Sequence, residues 1–209
     1  MNSLELDISL VNPVCHERDF TYPGDFGPGR PNVPIMSFHL IGQWRDYLLR
    51  LQINDQRVPQ FHVNEYHAAL RVLLFAWIEP AVIKPAELQA LRSLEGTLRD
   101  IYFEPIYKMK QNQNPTLKRE DFAKKLGLGK LLDYMVEHDD LPPLLHSELK
   151  RSNKSALDTI RNTAFHGEPF NTMPWGGLFE SVREVIIHAC RNRPLPENYL
   201  SIAALSDDQ

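Results

Sequence analysis

Residues 3–10 read Ser-Leu-Glu-Leu-Asp-Ile-Ser-Leu, apolar at every even position and polar at every odd one. A period of two belongs to a strand with one buried face, so a short β-strand is expected there. Two partners are open to it: a segment near Val58–Val63, or another chain. Residues 23–34 then hold four prolines and three glycines in twelve positions, which removes backbone donors and resists ordering. Residues 11–36 therefore read as an irregular arm, either draped over the domain through Tyr22, Phe26 and Met36 or disordered.

From Ser37 the period becomes helical. Ser37 is a candidate N-cap for a helix bearing Leu40, Ile41, Trp44, Leu48, Leu49 and Leu51, and Asn64 for a second bearing Ala68, Leu70, Leu73, Leu74 and Trp77. Pro85 suits the first turn of a third helix, which carries Leu88, Leu91, Leu94, Leu98 and Ile101 and runs, bent at Pro105, to about Lys110. A fourth segment covers Lys118–Glu137, interrupted near Gly127 and Gly129. Pro142 and Pro143 open a long helix that reaches Ala164, and a last helix spans Leu178–Arg191. No internal repeat is present. The expected fold is all-α, an irregular antiparallel bundle, with an N-terminal arm contributing one short strand. The expected divisions are an arm at 1–36, a helical domain at 37–192 and an acidic tail at 193–209.

Composition adds little to this and excludes several classes. With 209 residues, 43% hydrophobic and 24% charged, the chain can bury a core of its own and is neither fibrous nor wholly disordered. The longest apolar run, Val72–Ile78, is far short of the ~20 residues of a membrane span. The acidic amino terminus is unlike a secretory signal, so a cytoplasmic location and no membrane partner are expected. Cys15 and Cys190 make neither a disulfide framework nor a zinc cage. No metal or cofactor is expected: Cys15-His16-Glu17 places ligands too close in sequence, and His62 and His67 miss the i, i+4 spacing at which two imidazoles converge.

The most informative stretch is Asp158-Thr-Ile-Arg-Asn-Thr-Ala-Phe-His-Gly-Glu-Pro169. Gly167 suits the left-handed residue that closes a helix, and Pro169 forbids continuation. His166 would then stand at a helix C-terminus, where unpaired carbonyls and the macrodipole favour its imidazolium. Asn162, four residues earlier, lies ~40° from it on the same face, and Arg161 is long enough to swing to the same end. A guanidinium, an amide and an imidazole suit RNA transesterification. The same three side chains also satisfy loose carbonyls at a helix end.

Arg161, Asn162 and His166, in RNTAFHG, resemble the motif of the HEPN family: Arg, a polar residue that is commonly Asn, a few further residues, then His. The run LGLGKLLDYMVEHDD followed by LLHSELKRSNKSALDTI resembles the family's helical lead-in, and the likeness covers roughly residues 64–191. It implies a helical bundle that dimerises so that two motifs face one cleft, and a metal-independent endoribonuclease of toxin–antitoxin, abortive-infection or CRISPR-linked defence. In that reading His166 is the general base or acid, Arg161 stabilises the phosphate and Asn162 holds register. The implied partners are RNA, a second copy of the chain, and an antitoxin or defence-system protein. Some members are non-catalytic scaffolds, so binding of a protein or nucleotide is the alternative. One toxin branch carries a modified tyrosine two residues after the histidine; Glu168 stands here, which puts that regulation in doubt.

Two other features bear on RNA. Residues 108–130 carry Lys108, Lys110, Lys118, Arg119, Lys124, Lys125 and Lys130 against Glu120 and Asp121, a local +5 that leaves −9 for the remainder of a chain whose total is −4. Lys118, Arg119, Lys124, Lys125 and Lys130 are the candidate phosphate contacts; a solvated helix face is the plainer alternative. Trp175, in Met173-Pro-Trp-Gly-Gly177, either stacks a base or staples its loop to the bundle. The cadence of Arg119–Tyr134 also resembles a helix–turn–helix, which makes a DNA-binding regulator a third reading.

Overall fold

The computed structural model describes residues 17–24, 35–151, 154–160 and 174–195. Two strands, β1 (Glu17–Pro23) and β2 (Ile35–Leu40), precede α1 (Ile41–Arg50), α2 (Gln60–Leu74), two 3₁₀ turns at Phe75–Trp77 and Pro80–Val82, and the long α3 (Ile83–Gln113). There follow α4 (Arg119–Lys125), α5 (Leu128–His138), α6 (Pro143–Leu149), a two-residue ribbon of β3 (Lys150–Arg151) and β4 (Lys154–Ser155), helical residues 156–160 (α7), and α8 (Leu178–Cys190). The described chain is mainly helical, with β1 and β2 antiparallel in one small sheet and β3 and β4 in another.

α3 is the axis of the packing. At 1.5 Å per residue its 31 residues span roughly 46 Å. Its buried stripe of Ala86, Ala90, Leu91, Leu94, Leu98, Tyr102 and Ile106 meets α2, α5 and α8. Glu87 lies in that stripe, a charged residue among apolar ones. Pro85 falls in the first turn of α3 as expected, and the helix continues through Pro105 to Gln113.

The arm departs from expectation. Glu17–Pro23, read as irregular, is a strand that pairs with Ile35–Leu40 in the register Phe20↔Phe38 and Tyr22↔Met36. Alternation decides it: Phe20, Tyr22 and Phe38 point into the core, while Asp19, Thr21, Ser37 and His39 face water. Trp44 lies among them, its ring 4.9 Å from Phe20, 5.2 Å from Tyr22 and 5.1 Å from Phe38. The β1–β2 pair thus packs into the same core as α1. The expected strand at 3–10 lies outside the described residues. Within the segment suggested as its partner, Gln60–Val63 belongs to α2.

Two expected N-caps are corrected as well. Ser37 sits within β2, and α1 begins at Ile41, where the Gln43 side chain accepts the N–H groups of His39 at 2.9 Å and Leu40 at 3.2 Å. α2 begins at Gln60 after Pro59, ahead of Asn64.

The long helix expected from Pro142 to Ala164 is broken. α6 ends at Leu149, and the β3–β4 ribbon intervenes before the chain turns helical again at residue 156. The cause is local chemistry: Ser155 accepts the Asp158 N–H on its Oγ at 3.2 Å and so caps a new helix in the middle of the expected one.

The end of α5 is tied down by Asp139. Its carboxylate accepts from Tyr102 Oη and from Arg191 Nη1 at 2.9 Å and Nη2 at 2.8 Å, and its carbonyl accepts from His188 Nε2 at 2.7 Å. Burial raises the Asp139 pKa, but Arg191 and Tyr102 more than offset this and hold it below the usual carboxylate range. Three helices, α3, α5 and α8, meet at this one side chain.

Candidate nucleic-acid interface

The motif residues Arg161, Asn162 and His166, together with Gly167, Glu168 and Pro169, lie outside the described residues. What is described is the framework on either side. Upstream, α7 starts on buried Ser155, whose carbonyl accepts from Thr159 Oγ1 at 3.1 Å. Ala156, Leu157 and Ile160 are all buried. The helical run leading to Arg161 is thus anchored in the core.

Downstream, the Trp175 N–H donates to Glu87 Oε1. Glu87 is 0% exposed, and Lys84 Nζ binds its other oxygen at 2.8 Å. Burial pushes its carboxyl pKa up, opposed by the Lys84 charge and by both hydrogen bonds. Gly177 takes a φ of 74°, which glycine adopts without strain, and turns the chain into α8. The Trp175 ring is partly buried and packs against the core. Sequence reading passed over Glu87, although its signal was present: it falls at the i+4 position from Ile83, in register with Ala90, Leu91 and Leu94.

The basic candidates divide by environment. Lys118, Lys124 and Lys125 are exposed, and no carboxylate pairs with them among the described residues. Lys130 Nζ donates to the Lys125 carbonyl at 2.9 Å, closing the end of α4. Arg119 is engaged elsewhere: its guanidinium bonds Glu104 and lies over the Phe103 ring, 4.8 Å from the centroid. It is a side chain that holds α4 onto α3. Trp175 and this basic region are also apart, since Glu87 and Phe103 are separated by sixteen residues of one helix, roughly 24 Å.

α4 and α5 do form two helices joined through Leu126 and Gly127, as a helix–turn–helix would. The outer side of α5, however, presents Asp133 and Glu137 beside Lys130 and His138, and carboxylates oppose entry into a groove lined by phosphates. Of the histidines weighed as ligands, His16 lies outside the described residues, and His62 and His67 have other roles. His67 is buried and accepts the Ile53 N–H on Nε2 at 3.1 Å. His62 is buried against Asp100 at 3.0 Å, and His146 bonds Asp133 at 2.9 Å. Among the described residues, no three His, Cys, Asp or Glu side chains converge as a metal site would require, and no helix is long and apolar enough to cross a membrane.

Comparison with protein-family models, curated proteins and solved structures finds no match to this chain.

Proposed function

We propose that this chain is a metal-independent endoribonuclease of a toxin or phage-defence type, resembling the HEPN family and acting in the cytoplasm as a homodimer with two motifs at one cleft. The observation that carries the reading is the string Arg161-Asn162-Thr-Ala-Phe-His166-Gly167, set in a mainly helical chain. The buried helical residues before it and the Glu87-held loop after it supply two fixed ends for the segment that carries these side chains.

The chemistry follows from the residue types. His166 takes the proton of a ribose 2′-hydroxyl, and the 2′-oxygen attacks the adjacent phosphorus. The bond to the 5′-oxygen breaks, and that oxygen receives a proton from the second copy's histidine. Arg161 stabilises the charge on the phosphoryl oxygens, and Asn162 orients imidazole or phosphate. No redox step and no metal-bound water is required.

The test is incubation of purified protein with RNA in excess chelator. Wild type cleaves under these conditions. His166→Ala lowers the rate by 10²-fold or more, on the order of the contribution of general acid–base catalysis. Cleavage by His166→Ala at the wild-type rate removes the assignment.

A further inference from the structure

Resting on the reading of RNA as substrate, we propose that the C-terminal third of α3, α4, the start of α5 and the β3–β4 ribbon form one continuous surface that grips RNA by its phosphates without reading its bases. The chain brings these elements together by named contacts. Tyr107 Oη donates to the Leu117 carbonyl at 3.2 Å and Phe122 packs on Phe103 and Tyr107, which lays α4 along α3. Arg99 Nη1 bonds the Ala123 carbonyl at 3.0 Å. Lys130 joins the end of α4 to the start of α5, and the Lys150 side chain reaches Gly129, 3.8 Å from the place a Cβ would occupy there. Lys150 pairs in turn with Ser155 across the ribbon, and Arg151 with Lys154.

Along this path Arg119 is held by Glu104 and half-buried Lys150 by Asp133, and the other lysines stand exposed. Lys118, Lys124, Lys125 and Lys154 are exposed and have no carboxylate partner among the described residues, while exposed Lys108 acts on Glu104 and helps to hold its carboxyl pKa down. Lys154 is remote in sequence from the 108–130 run and joins it only through the fold. It stands seven residues before Arg161 in the sequence. Dipole compensation accounts for Lys124 and Lys125, in the last turn of α4. It does not account for Lys118, at the opposite end of that helix, or for Lys154 on a strand.

The absence of base reading follows from how the other groups are used. Lysine is a flexible point charge that meets a phosphate without bidentate geometry. Arg119, which could read a base edge, is bound to Glu104 and covers Phe103. The rings that could stack bases, Phe103, Tyr107 and Phe122, pack on one another instead.

The experiment measures binding of wild-type protein to fluorescent 2′-O-methyl oligonucleotides, which lack the attacking hydroxyl and stay intact. Oligo(U), oligo(A) and a mixed sequence of equal length are titrated across a salt series. The three bind within about threefold of one another. Lys124→Ala, Lys125→Ala and Lys154→Ala combined flatten the slope of log K against log salt by about 2, at roughly 0.7 per phosphate contact on a single strand. Arg92→Ala, an exposed cation elsewhere on α3, leaves the slope unchanged. An unaltered slope in the triple variant, a preference of tenfold or more for one sequence, or a lysine-dependent preference for phosphatidylserine vesicles over RNA overturns the inference. If the modified strands bind as stated while unmodified RNA stays whole, the nuclease reading fails and the surface stands.

Discussion

His67 illustrates how much one buried side chain fixes. Its Nε2 must be unprotonated to accept the Ile53 N–H. Burial, reinforced by the nearby Arg71 charge, holds its pKa below the ordinary value. Burial also lowers that of His62, in spite of Asp100 beside it. A histidine whose folded pKa is depressed stabilises the fold fully above its unfolded pKa of about 6.5, and this stability is lost as pH falls through the window below. His67→Ala should therefore cost roughly 1–3 kcal/mol at neutral pH, where the Ile53 amide is left unpaired, and less near pH 5. Urea unfolding at the two pH values checks this; an equal cost at both contradicts it. Asp139 has the carboxylate version of the same sign. Its folded pKa is depressed, so its contribution is present above pH ~4 and is lost on further acidification. Asp139→Asn should lower the urea midpoint at pH 7, through weaker bonds to Arg191 and Tyr102, and the difference from wild type should shrink toward pH 3.

At the level of elements, the helical faces of α1, α2, α3, α5 and α8 were legible because each buries residues three and four apart. The misreadings lie where a second signal competed. Proline and glycine between residues 23 and 34 obscured the alternation of Phe20, Tyr22 and Phe38 on either side. The apolar spacing of Leu145, Leu149, Ala156, Leu157 and Ile160 hid a break that polar residues at 150–155 impose. A hairpin that packs Phe20 against Trp44 and Trp77 is part of the core. Phe20→Ala should accordingly destabilise by about 3–5 kcal/mol, as large-to-small changes at buried aromatics do. A denaturant midpoint shifted by less than the equivalent of about 0.5 kcal/mol would mean that the hairpin is a dispensable arm. Of the candidate site, residue types and spacing could be read from sequence, but the packing of β4, which carries Lys154, against α5 could not, because only the ribbon fold creates it. The engagement of Arg119 with Glu104 was equally invisible, since nothing in the sequence pairs residues fifteen apart across two helices.

For the whole molecule, charge is segregated: a basic region on one part of an acidic chain attracts a polyanion locally while the remainder repels it. In the proposed dimer, two motifs at one cleft are the source of the separate base and acid that transesterification needs. Sedimentation at micromolar concentration should give a mass twice the 24.2 kDa of one chain; a strict monomer leaves a single copy of His166 per particle and contradicts the two-copy mechanism. The most direct measurement is the end-group chemistry of RNA cut by the purified protein in the presence of chelator. Attack by the neighbouring 2′-oxygen predicts fragments with a 2′,3′-cyclic phosphate on one side of the break and a 5′-hydroxyl on the other, both formed by His166→Ala at least about 10²-fold more slowly. Fragments bearing 5′-phosphates, cleavage abolished by chelator, or intact RNA after prolonged incubation would each contradict it.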